Sequence, residues 1–416
     1  MNLNQDELRK KRKCKPKEED NQRNGLDRFP REILLDIVSR LPITSVMQSW
    51  FVCRSWHNLS LDQNLSSLHF SKAATRNPFL IFHSDDPIRN ELSFAEIPGS
   101  NDDGKGIVKK FSTPFSVLMP KFTVVGSCNG LLCLCDSLYK DAVYIYNPFT
   151  RDYKELPKTR QYAEETVLCG FGYLRGTNEY KVVKIVHHRI VSTGVDYVQR
   201  TMMLGKSISE VFVFTLGSNT WRNVGLAPRY LERRSQEALC TNGRLHWVTL
   251  GVRNAVRGLI IISFDLAEEK FYEIPRPDFN DLIDSENYHL AILRGCLSAA
   301  VSGHGLRRDL EIWVMREYSV KESWVKEFKI RAYVPQSPLR KLQRAVPIWR
   351  NSIIRATLRA SCLLENGEIL IEYRLGKFAV YDPERERYKD ITFKGMPSMP
   401  QTVVHMGSLT QSTCYD

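Results

Sequence analysis

Val143-Tyr144-Ile145-Tyr146-Asn147-Pro148-Phe149-Thr150-Arg151-Asp152-Tyr153-Lys154-Glu155-Leu156 is the stretch whose reading decides how most of this 416-residue chain folds. Val143 to Tyr146 is a β-branched and aromatic run, Asn147-Pro148 is turn chemistry, and Tyr153 opens a second short strand. The phrase recurs. Val211-Phe212-Val213-Phe214 leads to Trp221, Ile262-Ser263-Phe264-Asp265-Leu266 to Phe271, Glu311-Ile312-Trp313-Val314-Met315 to Trp324, and Phe378-Ala379-Val380-Tyr381-Asp382 to Tyr388. The five turn aromatics stand 68, 50, 53 and 64 residues apart, so one hairpin is copied at a drifting period.

A second phrase lies outward of the first. Cys128-Asn129-Gly130-Leu131, Thr241-Asn242-Gly243-Arg244 and Glu365-Asn366-Gly367-Glu368 each set Asn-Gly between apolar runs, and Leu293-Arg294-Gly295-Cys296 is a weakened copy. Both residues of Asn-Gly tolerate positive φ, which the tight hairpin turn requires. Hairpins repeated in this way predict a degenerate β-propeller, in which each small sheet stacks on its neighbours. A two-sheet sandwich with long insertions is the rival architecture. No Gly-Gly occurs, so any kelch-type relationship is divergent and the blade number is not legible.

Before residue 75 the period changes. Leu26, Pro30, Ile33, Leu34, Ile37, Val38 and Leu41 follow the spacing of one helix face. Pro30 suits a first turn, where its missing N–H is no loss, and Pro42 ends the helix. Two more short helices are expected over roughly 43–51 and 52–59, carrying Val46, Met47, Trp50, Cys53, Trp56 and Leu59. A unit of about 40 residues has little core of its own, so its apolar face calls for a partner.

Apolar residues make up 43% and charged residues 25%, which fits a globular chain. The longest apolar runs, such as Leu259-Ile260-Ile261-Ile262, fall far short of the ~20 residues of a membrane span, so no membrane role is expected. The polar, basic N-terminus is unlike a secretory signal, and the ten cysteines therefore read as thiols. Cys128, Cys133 and Cys135 lack the spacing of a zinc knuckle; no metal and no cofactor are expected. The net charge is +12, with seven cations in Arg9–Lys17 and a second acid-free concentration over Arg331–Ala360. No nucleic-acid-binding motif accompanies these charges, so no nucleic-acid partner is expected. Residues 1–24 read as a disordered basic tail, and their run fits either a nuclear-import address or a solubilising segment, placing the protein in the nucleus, the cytoplasm or both.

Leu26-Asp27-Arg28-Phe29-Pro30-Arg31-Glu32-Ile33-Leu34-Leu35-Asp36-Ile37-Val38-Ser39-Arg40-Leu41-Pro42, followed by Val52-Cys53-Arg54-Ser55-Trp56, resembles an F-box. Gly126-Ser127-Cys128-Asn129-Gly130-Leu131-Leu132 and Tyr146-Asn147-Pro148-Phe149-Thr150 resemble phrases of the F-box-associated domain of plant F-box proteins. Arg28-Phe29 stands where that family more often has leucine before the proline, and Gln48 and Trp50-Phe51 also depart from its pattern. The resemblance implies a three-helix F-box (25–70), a propeller-like client-binding domain (71–405) and a C-terminal tail (406–416). It implies docking on a Skp-family adaptor, and through it on cullin and RING subunits of a ubiquitin ligase. The adaptor-facing residues would be Leu26, Phe29, Pro30, Ile33, Leu34, Ile37, Leu41, Pro42, Val46, Cys53 and Trp56, with intradomain core as the alternative for each. Trp56 is the best anchor, because large aromatics dominate interface energetics.

A receptor of this kind needs no catalytic residue, and no nucleophile elbow, zinc-protease or phosphate-loop motif occurs. His187-His188 reads as structural. The client would be a protein, acidic or phosphorylated, met by loops on one propeller face. Two insertions stand out, 189–206 and 331–359; in the second, Arg340, Lys341, Arg344, Trp349 and Arg350 form a cationic candidate site, with a solvated loop as the alternative. A non-ligase scaffold and a carbohydrate-binding or enzymatic propeller are the other function classes.

Overall fold

The computed structural model describes residues 29–73, 76–83, 91–99, 103–111, 113–162, 165–189, 207–228, 231, 239–253, 256–278, 288–302, 309–331, 333, 358–373, 376–397 and 400–410. Four helices lead: α1 (Arg31–Ser39), α2 (Ile43–Ser49), α3 (Arg54–Ser60) and α4 (Gln63–Ala73). Pro30 and Pro42 stand immediately before α1 and α2 in the extended conformation proline prefers. Pro42 therefore opens a helix as well as closing one, its carbonyl accepting the N–H groups of Ser45 and Val46. The fourth helix was not expected. Its alternation of polar and apolar residues gives no clear stripe, and it is held by contacts to α1: the Lys72 Nζ reaches Asp36 Oδ1 at 2.6 Å and Ser39 Oγ at 2.7 Å.

The strands follow as β1 (Phe79–His83), β2 (Leu92–Glu96), β3 (Lys105–Ile107), β4 (Lys109–Lys110), β5 (Phe122–Cys128), β6 (Leu131–Asp136), β7 (Val143–Tyr146), β8 (Tyr153–Glu155), β9 (Thr166–Leu174), β10 (Glu179–Arg189), β11 (Ser207–Thr215), β12 (Arg222–Leu226), β13 (Leu239–Thr241), β14 (Arg244–Arg253), β15 (Val256–Asp265) and β16 (Lys270–Ile274). They continue as β17 (Tyr288–Leu293), β18 (Cys296–Ser302), β19 (Leu310–Met315), β20 (Trp324–Ile330), β21 (Leu358–Leu363), β22 (Ile369–Tyr373), β23 (Lys377–Asp382), β24 (Arg387–Lys394) and β25 (Gln401–His405).

They form six antiparallel sheets, the blades of a β-propeller: β5–β8, β9–β12, β13–β16, β17–β20, β21–β24, and a sixth in the order β25-β1-β2-β4. The sixth blade closes the ring by pairing the last strand with the first, Phe79 opposite His405 and His83 opposite Gln401. A second closure lies beside it. β3 runs parallel to β24, Lys105 opposite Thr392 and Ile107 opposite Lys394, adding a fifth strand to that sheet. Gly106 has to be glycine there, since a Cβ would lie 2.5 Å from the Phe393 ring.

Period-2 alternation assigns each strand's side chains to two blade boundaries. On β6 and β7, Leu131, Cys133, Cys135, Val143 and Ile145 pack with Phe171, Tyr180, Val182 and Phe214 of the next blade, while Leu132, Leu134, Tyr144 and Tyr146 pack the other way. The thiols are thus small apolar core groups, and Cys133 and Cys135 are buried. The turn phrases appear at atomic level. Asn129-Gly130, Asn242-Gly243 and Arg294-Gly295 all have positive φ at both positions, so the weakened copy is a full member. At Asn366-Gly367 only the glycine does, and the turn is one residue wider, with the Leu364 N–H bonded to Glu368 O at 2.8 Å.

Candidate functional site

The helical unit has two faces with opposite fates. Leu35, Val38, Ile43, Val46, Leu59 and Leu65 share one core with Ile81, Phe94, Phe149 and Leu409 of the propeller. On the other side, Phe29, Ile33 and Ile37 follow one helical stripe and remain 57%, 49% and 48% exposed. The link between α2 and α3 adds Phe51 and Val52, 89% and 67% exposed, followed by exposed Cys53. Charged pairs rim these segments. Arg31 donates to Asp62 Oδ2 and Arg40 to Asp36 Oδ2; those hydrogen bonds, with the one from Lys72 first in weight on Asp36, hold both carboxyls below their usual range. An apolar centre with a charged rim is the anatomy of a protein-docking surface.

The sequence-predicted residues divide accordingly. Phe29, Pro30, Ile33, Ile37, Pro42 and Cys53 lie on the surface. Val46 does not; it is fully buried, because α2 turns that side onto the propeller. Leu34, Leu41 and Trp56 are half-buried and pack against the same core, so the expected Trp56 anchor points mainly inward. Leu26 is outside the described residues. Phe51, Val52, Leu61 and Leu68 are exposed and were not singled out. Their signal was present: Trp50-Phe51-Val52-Cys53 is four apolar residues in succession, more than one helix face can bury.

The opposite face of the ring is defined by strand register. His83 and Leu92, Asp136 and Val143, Arg189 and Ser207, Arg253 and Val256, Ser302 and Leu310, and Tyr373 and Lys377 mark strand ends at the edge away from the helices. The two insertions singled out from the sequence leave and re-enter at that edge, between Arg189 and Ser207 and between Ile330 and Leu358. Arg340, Lys341, Arg344, Trp349 and Arg350 lie outside the described residues. The channel between the innermost strands encloses a cavity of about 280 Å³ lined by Val124, Phe171, Cys240, His289, Arg359 and Val403 among others. His289 Nε2 accepts the Ala360 N–H at 2.8 Å, and burial, with Arg359 adding to it, depresses its pKa to about 3. Glu372 accepts from Thr402 Oγ1 at 2.8 Å. These polar groups serve neighbouring strands. His187 and His188 likewise bond across to β11, to Ser209 Oγ and Glu210 Oε2, each at 2.7 Å. Among the described residues no cluster of three or more His, Cys, Asp or Glu side chains is placed to hold a metal, and no helix is long and apolar enough to cross a membrane.

A four-helix N-terminal unit with an exposed apolar stripe, set on a six-bladed ring, defines the class: a small helical domain joined to a β-propeller. The chain belongs to the plant F-box proteins that carry an F-box associated beta propeller domain: that domain matches over residues 77–413 and the F-box domain over residues 26–68. It is similar to F-box protein At3g07870 of Arabidopsis thaliana, 44% identical over 395 residues covering 93% of this chain and 92% of the relative. F-box protein CPR1 of the same plant is 25% identical over 405 residues, 92% of this chain and 88% of that one.

Proposed function

We propose that this chain is the substrate-recognition subunit of an SCF-type ubiquitin ligase. Its F-box docks on a Skp-family adaptor, which joins it to cullin and RING subunits. Its propeller captures a client protein on the face turned away from the helices. The observation that carries the reading is the exposed stripe of Phe29, Ile33 and Ile37 with Phe51 and Val52, left open on a unit whose other side is fully packed. The chain itself is non-catalytic in this reading, since ubiquitin transfer belongs to the partner subunits, and the Arg9–Lys17 run fits a nuclear-import address or a solubilising segment, for a protein of the nucleus, the cytoplasm or both.

The client is acidic or phosphorylated and meets Arg340, Lys341 and Arg344, which follow β20 in the sequence within an acid-free stretch. The test is affinity capture with the proteasome blocked, comparing wild type with an Ile33→Ala/Ile37→Ala/Phe51→Ala variant. Clients come down with both, but accumulate ubiquitin only with the wild type. Equal adaptor and cullin recovery by the two chains overturns the assignment. Client capture unmoved by Arg340→Glu/Lys341→Glu/Arg344→Glu removes the cationic contact.

A further inference from the structure

The segment after the ring-closing strand, residues 406–410, lies between the F-box and the propeller. Leu409 is buried in the core the two share, and Ser408 is fully buried. Gly407 sits where a Cβ would stand 2.8 Å from Ile43 of α2 and 3.1 Å from the rings of Phe79 and Phe149. Gly130 has its own reason to be glycine, since a Cβ there would stand 2.0 Å from Ser408 Oγ, which itself donates to the Asn129 carbonyl at 2.9 Å. The Asn129-Gly130 turn is thus shaped to receive this segment.

Asn147 makes the other half of the clamp. Its Oδ1 accepts the N–H groups of Phe149 and Thr150, while its Nδ2 donates to Ser408 O at 2.9 Å and Thr410 O at 2.7 Å. The same turn recurs in two other blades with aspartate. Asp265 Oδ1 accepts from Ala267 and Glu268, and Asp382 Oδ1 from Glu384 and Arg385. There the second oxygen pairs with an arginine, Arg244 or Arg385. The turn alone is served by a carboxylate; of these three turns, the one facing the C-terminal segment has the side chain that also donates.

We propose that residues 406–410 are a keystone, with Asn147 as its positioning residue, that fixes the adaptor-docking helices to the propeller and makes adaptor binding depend on closure of the ring at β25. The helices' inner residues Leu35, Val38, Ile43 and Val46 share their core with Leu409 of this segment, and Ile43 packs directly over Gly407, so loosening the segment loosens the helices. The client face is then held at one angle to the ligase. The adaptor half rests on the ligase reading above; the mechanical half does not.

The test is hydrogen exchange on the full chain carrying Asn147→Asp, which preserves the turn as the sister blades do but sets a carboxylate oxygen against two carbonyls. Exchange is expected to rise by about tenfold or more in residues 406–410 and in α1 and α2, with β10, β14 and β18 changed by less than about twofold. Gly407→Val, which forces bulk against Ile43, is expected to give the same pattern. Faster exchange confined to 406–410, or spread through all the blades, overturns the keystone. Adaptor affinity on the same samples is expected to fall by about three- to tenfold although no stripe residue is altered, since docking must then reorder the helices. Unaltered affinity with loosened helices overturns the dependence on ring closure. A wild type that binds no adaptor overturns the ligase reading and leaves the exchange result standing.

Discussion

Truncating the exposed stripe separates docking from folding. In the Ile33→Ala/Ile37→Ala/Phe51→Ala chain the three side chains lost are 49%, 48% and 89% exposed. Fully burying such a side chain is worth about 1.5–3 kcal/mol, so docking that covers the exposed fractions gains roughly 2 kcal/mol from Phe51 and about 1 from each isoleucine. Their joint loss of about 4 kcal/mol corresponds to an affinity drop of up to ~1000-fold, and of ~30-fold if only half of that area is covered. Folding stability is expected to fall by no more than about 2 kcal/mol, since by the same arithmetic the covered half of each isoleucine is worth about 1 kcal/mol and Phe51 contributes almost nothing to the fold. Calorimetric titration with purified adaptor measures the first quantity and thermal denaturation the second. An adaptor Kd within about threefold of wild type refutes the argument, since it means the exposed side chains are not in the contact.

Other consequences concern the body of the protein. Val46→Ala removes a fully buried side chain at the F-box–propeller core and is expected to cost about 1–3 kcal/mol, read as a lower melting temperature, with its effect on adaptor affinity smaller than that of the stripe variant. Burial pushes the Glu269 carboxyl up, but hydrogen bonds from Arg222 and from Lys181 of the adjacent blade outweigh it and hold the group below its usual range. Glu269→Gln leaves the nearly buried Lys181 without its counter-charge and is expected to destabilise the chain by about 2–4 kcal/mol in denaturant titration; a loss under about 0.5 kcal/mol would sink this account. Burial depresses His405 to about 3 and His246 to about 4, both below their unfolded value of 6.5. Since the unfolded chain takes up their protons first, stability is full above about pH 6.5 and falls as pH drops from there toward 4, by up to ~1.4 kcal/mol per pH unit for each group. His405→Gln is expected to flatten that slope in melting curves collected from pH 7 to pH 5.

Five hairpin copies were legible because each is local: β7–β8, β11–β12, β15–β16, β19–β20 and β23–β24 carry the aromatic phrase in one run of sequence. The sixth blade was not, because it is assembled from β1, β2 and β4 near the start and β25 near the end, with no copy to read. The α1 stripe was visible from its period, yet period alone does not say which flank faces a second body. Leu34, Leu41, Val46 and Trp56 turned inward because the propeller offers apolar partners such as Phe94 and Phe149. Residues 406–410 read as a tail because Gly407 and Ser408 carry no hydrophobic signal; their role rests on small size and on backbone carbonyls that accept from Asn147, which patterning does not weigh.

The position of the last strand also sets a timetable for biosynthesis. The helices are made before any blade and Ile81, Phe94 and Phe149 follow soon after, but Leu409, which completes the core around Leu35 and Val38, is made only after the intervening blades. At ~5–20 residues per second, that leaves the shared core unfinished for roughly 20–70 seconds. The outer stripe and the gap awaiting Leu409 are open to chaperones during that interval, and a chain lacking Leu409 would leave that gap unfilled.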